Sequence, residues 1–183
     1  MLKVCVFLAD GFEEVEGLTV VDLLRRADVD VTMVSVMDKR KITGAHNITV
    51  EADKLFDEID YKDVDGLVLP GGMPGTTHLA EHSDLIKLLN SFNDENKLIA
   101  AICAAPSILG QNKMLINKKA TCFPGMEDKL EGAILSKDSV VVDGNIITSR
   151  GVGTAIDFTL AIIEKLINKE TSDNIAEEIV YKV

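Results

Sequence analysis

Residues 98–109 read LIAAICAAPSIL. The uninterrupted apolar run that ends at Ile102 is the mark of a strand buried on both faces, as in a parallel sheet. Pro106 suits the first turn of a helix, where its missing N–H costs nothing. Strand, tight turn and helix thus follow one another within a very short stretch.

The same alternation runs outward in both directions. KVCVFLA (3–9), DVTMVSV (30–36) and DGLVLP (65–70) read as further strands. The helix after the first carries Val15, Leu18, Val21 and Leu24 on one face. Another, over 84–93, carries Leu85, Leu88, Leu89 and Phe92, with Ser83 as its N-cap. NITVEA (47–52) reads as a short excursion. SVVVDGNIITSR (139–150) reads as a hairpin turning at Asp143-Gly144. A helix from about Thr154 then carries Ile156, Leu160, Ile163 and Ile167, and a shorter one covers about Ser172–Ile179. This order predicts an α/β doubly wound sandwich, with a mostly parallel central sheet and helices on both faces. Ligands in such folds sit at the carboxyl ends of the strands, where strand order reverses. Three candidate strand ends converge there: ADGFEEVE, PGGMPG and CAAPS.

Composition narrows the function. The 183 residues are expected to form one domain, 1–183, with 46% hydrophobic residues and a formal net charge of −11. That charge argues against nucleic acid or an acidic membrane surface as a main partner. The apolar stretch at the N-terminus stops at Asp10, too short for a signal peptide or a membrane helix, so a cytoplasmic protein is expected. Three cysteines without CxxC or Cys/His spacing make a disulfide framework or a zinc site unexpected. GVGTAI (151–156) lacks the third glycine of a dinucleotide fingerprint, and PGGMPG lacks the ending of a P-loop. No cofactor and no metal are therefore expected.

Cys103 admits two readings. A cysteine with apolar flanks is ordinarily inert core packing. Alanine at both 101 and 105, however, gives the clearance that a nucleophile elbow needs on either side of its nucleophile, and the turn geometry favours that reading. A thiol at a helix start would feel the positive end of the dipole, which lowers its pKa. Glu13, Glu14 and Glu16 open the first helix, where acids stabilise the dipole without further purpose. Glu16, beside Val15, could instead face the pocket as a desolvated, proton-carrying acid, and spacing alone leaves both open. Gly71 and Gly72, with the N–H of Ala104, could form an oxyanion hole or be a plain glycine turn. His46, His78 and His82 show no partner spacing, so a Cys-His-Asp triad cannot be assembled. Cys5 and Cys122 read as structural.

The stretches ADGFEEVE, VVDLLRRA, DGLVLPGGMPG, LIAAICAAPSIL and ITSRGVGTAIDFTLAIIEKL occur in this order and span nearly the whole chain. Together they resemble the ThiJ/PfpI superfamily, in particular its small single-domain branch of glyoxalase III-like proteins and proposed protein deglycases. The resemblance implies a flavodoxin-like fold and a homodimer. It makes Cys103 the reactive, oxidation-prone cysteine and Glu16 the acid hydrogen-bonded to its sulfur. It also points to the N–H groups of Gly72 and Ala104 as oxyanion donors, and to Arg26 as a residue near the dimer interface and the site. Phe123 stands where some members carry a histidine, His46 where an arginine often borders the site, and Glu51 where some relatives have a second oxidisable cysteine. The implied activity is that of a cofactor-independent cysteine/glutamate enzyme acting on reactive dicarbonyls or their protein adducts. The alternative is a redox-responsive chaperone or oxidative-stress sensor working through oxidation of Cys103.

Overall fold

Seven strands form the central sheet: β1 (Lys3–Leu8), β2 (Asp30–Ser35), β3 (Lys54–Leu55), β4 (Gly66–Leu69), β5 (Leu98–Ile102), β6 (Val140–Asp143) and β7 (Ile146–Ser149). The computed structural model describes residues 1–181; of the expected domain 1–183, positions 182 and 183 lie outside the described residues. The strand order is β6-β7-β5-β4-β1-β2-β3, parallel throughout except for the β6–β7 hairpin. From β1 the chain moves outward to β2 and β3, then returns to β4 on the other side of β1. The order therefore reverses between β1 and β4, and that switch point opens a crevice at their carboxyl ends.

Strand alternation feeds two cores. Val4, Val6 and Leu8 of β1 point to one face and pack with Val20 and Leu24 of α1 (Glu14–Arg26) and Phe158 and Ile162. The last two belong to α5 (Ala155–Leu166), which lies on this face with α6 (Lys169–Glu178). Cys5 and Phe7 point to the other face, against α2 (Gly75–Glu81), α3 (Ser83–Asp94) and α4 (Pro106–Gln111), through Leu79, Leu85, Leu89 and Ile108. Each such fully buried side chain stabilises the fold by about 1.5–3 kcal/mol. The architecture is the α/β, flavodoxin-like one expected from the alternation of elements.

Several local expectations are corrected. Val15 is 48% exposed, and α1 buries Glu14, Glu16, Val20, Val21, Leu23 and Leu24 instead of a Val15-led stripe. Its first turn abuts polar loops, so the buried face there is acidic rather than apolar. The N-cap of α3 is His82, whose Nδ1 accepts the Leu85 N–H at 3.1 Å, and Ser83 is the first helical residue. The inward face of α5 is Ala155, Phe158, Thr159, Ile162 and Ile163, which keeps Ile163 of the expected set, while Ile156, Leu160 and Ile167 are only partly buried. α6 begins at Lys169, because Asn168 caps it by accepting the Thr171 N–H at 2.8 Å. The β6–β7 turn is Gly144–Asn145, with Gly144 at φ +61°, a conformation that suits glycine. The excursion over 47–52 contains a strand, Thr49–Glu51, paired antiparallel with Lys41–Thr43 in a separate ribbon.

Candidate active site

Cys103 stands at the turn between β5 and α4, in the left-handed region at φ +65°. That conformation is costly for a residue with a Cβ, and it persists only when the surroundings impose it. Here they do. The Cys103 N–H donates to the Ser149 carbonyl at 3.0 Å, its own carbonyl accepts the Phe123 N–H at 2.8 Å, and Ala105 N–H closes the turn onto Ile102 at 3.1 Å. Ala101 and Ala105 are completely buried, so any larger side chain at either position would have to displace packed core. The thiol itself is partly exposed.

Glu16 reaches the turn from α1. It is fully buried, and its Oε2 accepts the Gly71 N–H at 2.8 Å. A Cβ on Gly71 would lie 2.5 Å from Cys103 Cβ, 2.8 Å from Glu16 Oε2 and 3.0 Å from the Ile102 carbonyl. Only a glycine lets these three elements approach so closely. Glu16 Oε1 is matched by no N–H or O–H donor.

The electrostatics tie thiol and carboxyl together. Burial pushes Glu16 up to about 7, against the opposing hydrogen bonds from the Gly71 N–H and the Cys103 thiol. Burial also pushes Cys103 up to about 12, helped by the charge of Glu16 and the hydrogen bond to it, while the N–H groups of Ala104 and Gly72 at the sulfur act in the opposite direction. This corrects the expectation of a thiol lowered by a helix dipole. α4 is only Pro106–Gln111, and desolvation beside a carboxylate outweighs it. Each group thus alters the proton affinity of the other. Cys5 and Cys122 are buried thiols pushed up to about 12 and about 11, chiefly by desolvation, and the charges acting on them are not those of this pair.

The neighbouring acids have a different task. Glu14, buried, accepts the His46 N–H at 2.8 Å, the Ile48 N–H at 3.3 Å and faces His46 Nδ1 at 3.1 Å. Burial would raise its pKa, but these hydrogen bonds and that of its own N–H hold it below the usual range. The Glu14 hydrogen bond, with the charges of Glu13 and Glu14, in turn raises His46. Glu13, Glu14 and His46 bring one ligand atom each within 4.8 Å of one another, yet both Glu14 oxygens already face protein nitrogens. His46 thus belongs to a loop clasp beside the site, and it does not contact Cys103 or Glu16. Arg26 lies at the far end of α1, roughly 15 Å along the helix from Glu16, where it bridges Asp22 at 3.0 Å and Glu178 at 2.7 Å. Within one chain it does not border the cysteine.

The structure thus brings Cys103, on a strained strand–helix turn, together with the buried Glu16. The profile of the DJ-1/PfpI family matches residues 2–165. The chain belongs to this family. It is 37% identical to protein DJ-1 homolog B of Arabidopsis thaliana over 169 residues, covering 92% of this chain but 39% of that protein. The chain thus spans less than half the length of that relative. It is also 35% identical to a deglycase of Thermococcus kodakarensis over 155 residues, covering 83% of this chain and 92% of that protein. In structure it is similar to oxidized Toxoplasma gondii DJ-1, with a TM-score of 0.96, 35% identity and full coverage of both chains.

Within this DJ-1/PfpI fold, two rim residues escaped sequence reasoning. Gly151 follows β7 in extended backbone at φ 159°, beside Phe123 and Glu16. Its signal was present only as part of the ITSRGVGTAI stretch. Phe123 registered only as a departure from a histidine pattern. Among the described residues, no helix is long and apolar enough to cross a membrane.

Proposed function

We propose that this DJ-1/PfpI protein is an enzyme acting on reactive α-dicarbonyls such as methylglyoxal, or on their early adducts with proteins. Cys103 serves as nucleophile and Glu16 as proton carrier. The observation that carries the reading is the buried Glu16 carboxyl hydrogen-bonded to the Cys103 thiol, with the Gly72 and Ala104 N–H groups at the same sulfur.

The chemistry follows from that pair. Sγ adds to the aldehyde carbon and forms a C–S bond, while the thiol proton passes to Glu16 and then to the carbonyl oxygen. A hemithioacetal results, its developing oxyanion held by the Gly72 and Ala104 N–H groups. Glu16 then removes the proton from that carbon and delivers one to the neighbouring carbon, while the hemithioacetal's hydroxyl proton passes to the former ketone oxygen as the electron pairs shift. The former aldehyde carbon is oxidised and the former ketone carbon is reduced, giving a thioester of a 2-hydroxy acid. Water cleaves the thioester, releasing lactate when methylglyoxal is the substrate and restoring the thiol. Because Glu16 takes the proton as the bond forms, a thiol raised by burial is no obstacle. The deglycase name of the Thermococcus relative supports the reading. Lactate production by wild type against Cys103→Ser and Glu16→Ala tests it.

A second use of the same thiol is favoured by its partial exposure and by the likeness to an oxidized Toxoplasma structure: stepwise oxidation to sulfenic and sulfinic acid. Selective gain of two oxygens on Cys103 after mild peroxide, with negligible dicarbonyl turnover, would make that the main role. The exposed apolar residues Val15 and Ile48, on α1 and the ribbon it clasps, support a homodimer, to be tested by sedimentation.

A further inference from the structure

Gly151 lies close both to an aromatic ring and to the acid of the reacting pair. A Cβ at Gly151 would lie 3.5 Å from Phe123 Cδ2, 3.9 Å from Phe123 Cε2 and 3.8 Å from Glu16 Oε1. The edge of an aromatic ring and the unmatched, fully buried oxygen of the reacting pair thus lie within 4 Å of the same point. The backbone that carries the ring is fixed to the elbow, because the Phe123 N–H donates to the Cys103 carbonyl at 2.8 Å. Phe123 nevertheless remains 48% exposed, so its burial does not account for its presence. The charge acting on Cys103 is that of Glu16, and the charge acting on Glu16 is that of Glu13. An anionic substituent gains nothing in that company, while an apolar one can cover the ring.

We propose that Phe123 is the wall that receives the substrate's substituent and selects α-dicarbonyls bearing an aromatic group over those bearing a methyl. The inference rests on the reaction assigned above to Cys103 and Glu16. A phenyl group laid against Phe123 leaves less apolar surface wet than a methyl group does. An aromatic pair of this kind favours the aryl compound by about tenfold.

Two readouts separate the wall from the reaction. The first is the rate at which phenacyl bromide and bromoacetone alkylate Cys103, each normalised to its rate with glutathione and read by intact mass against a Cys103→Ser blank. The second is kcat/KM on phenylglyoxal and methylglyoxal. Wild type is expected to prefer the aryl partner by about tenfold in both. Phe123→Ala should bring both preferences down to about twofold or less, and Phe123→Tyr, which keeps a ring, should restore them. An alkylation preference that is absent in wild type, or unchanged in Phe123→Ala, overturns the wall. If that preference follows Phe123 while neither dicarbonyl is turned over, the wall stands and the proposed reaction falls. If both dicarbonyls are turned over and neither ratio follows Phe123, the reaction stands and the wall falls.

Discussion

Glu14 and Glu16 stand two residues apart on α1 and serve opposite sides of it. Glu14 holds the backbone N–H groups of His46 and Ile48, and Glu16 holds that of Gly71 beside Cys103. Two residues on a helix differ by roughly 200° in direction, so one acid turns to the ribbon and the other to the cleft. Both are buried, and their environments drive their pKa values apart: Glu14 down and Glu16 up. The first is a structural clasp and the second carries the chemistry proposed here.

The raised pKa of Glu16 makes it a destabilising acid near neutral pH. Its carboxyl titrates at about 7 in the fold against an ordinary 4.5. Between those values the unfolded chain has lost the proton and the folded one keeps it. Stability therefore falls as pH rises through that window. Glu16→Gln should remove this slope and be more stable than wild type at pH 8 by about 1–3 kcal/mol, with a smaller difference at pH 4. Urea denaturation at the two pH values checks it. A variant gain that is equal at both pH values would contradict the assignment.

The same titration should shape the rate. Glu16 must be free of its proton to accept one from the thiol, so kcat/KM on methylglyoxal should rise with pH through about 7. In Glu16→Gln that limb should vanish and the rate fall by about 10²–10⁴-fold. A pH–rate profile of both proteins decides the matter, and a limb that survives in the variant assigns the proton elsewhere.

Gly71→Ala probes the closeness of the pair without touching either member. Its Cβ would lie 2.5 Å from Cys103 Cβ and 2.8 Å from Glu16 Oε2, so thiol and carboxyl must be pushed apart. A misplacement on the order of 1 Å costs about 10²-fold in rate. Steady-state kinetics, with circular dichroism to confirm the fold, would show the loss. Retention of full activity would mean that the separation of the two groups is unimportant.

Glu14→Ala should act on structure. Removing its carboxylate leaves the His46 and Ile48 N–H groups without their acceptor, at a cost of about 1–3 kcal/mol. Amide hydrogen exchange should quicken at those two positions ahead of the β-sheet core. Equal quickening throughout the sheet would argue that Glu14 supports more than the ribbon.

Much of this organisation was legible in the residues. Alternating apolar runs and amphipathic helices set the doubly wound fold, because their periods are local. The elbow was legible because a strained turn restricts its neighbours, leaving alanines at 101 and 105 and glycines at 71 and 72. The roles of Glu14 and Glu16 were not separable, since a helix start welcomes any acid and only tertiary contacts reveal which way each points. The two-residue β3 is too short to show a period. His82 replaced Ser83 as a cap because an imidazole nitrogen can accept the same N–H as a hydroxyl. The raised Cys103 pKa depends on burial beside Glu16, which brings together residues far apart in the chain.

The central claim is that Cys103 and Glu16 work as one unit on dicarbonyls. The most direct measurement is lactate formed from methylglyoxal by purified wild type, Cys103→Ser and Glu16→Ala, with each protein confirmed folded. The account predicts steady lactate production by wild type and loss of at least about 10²-fold in both variants. Turnover by Cys103→Ser at the wild-type rate, or no lactate from folded wild-type protein, would contradict it.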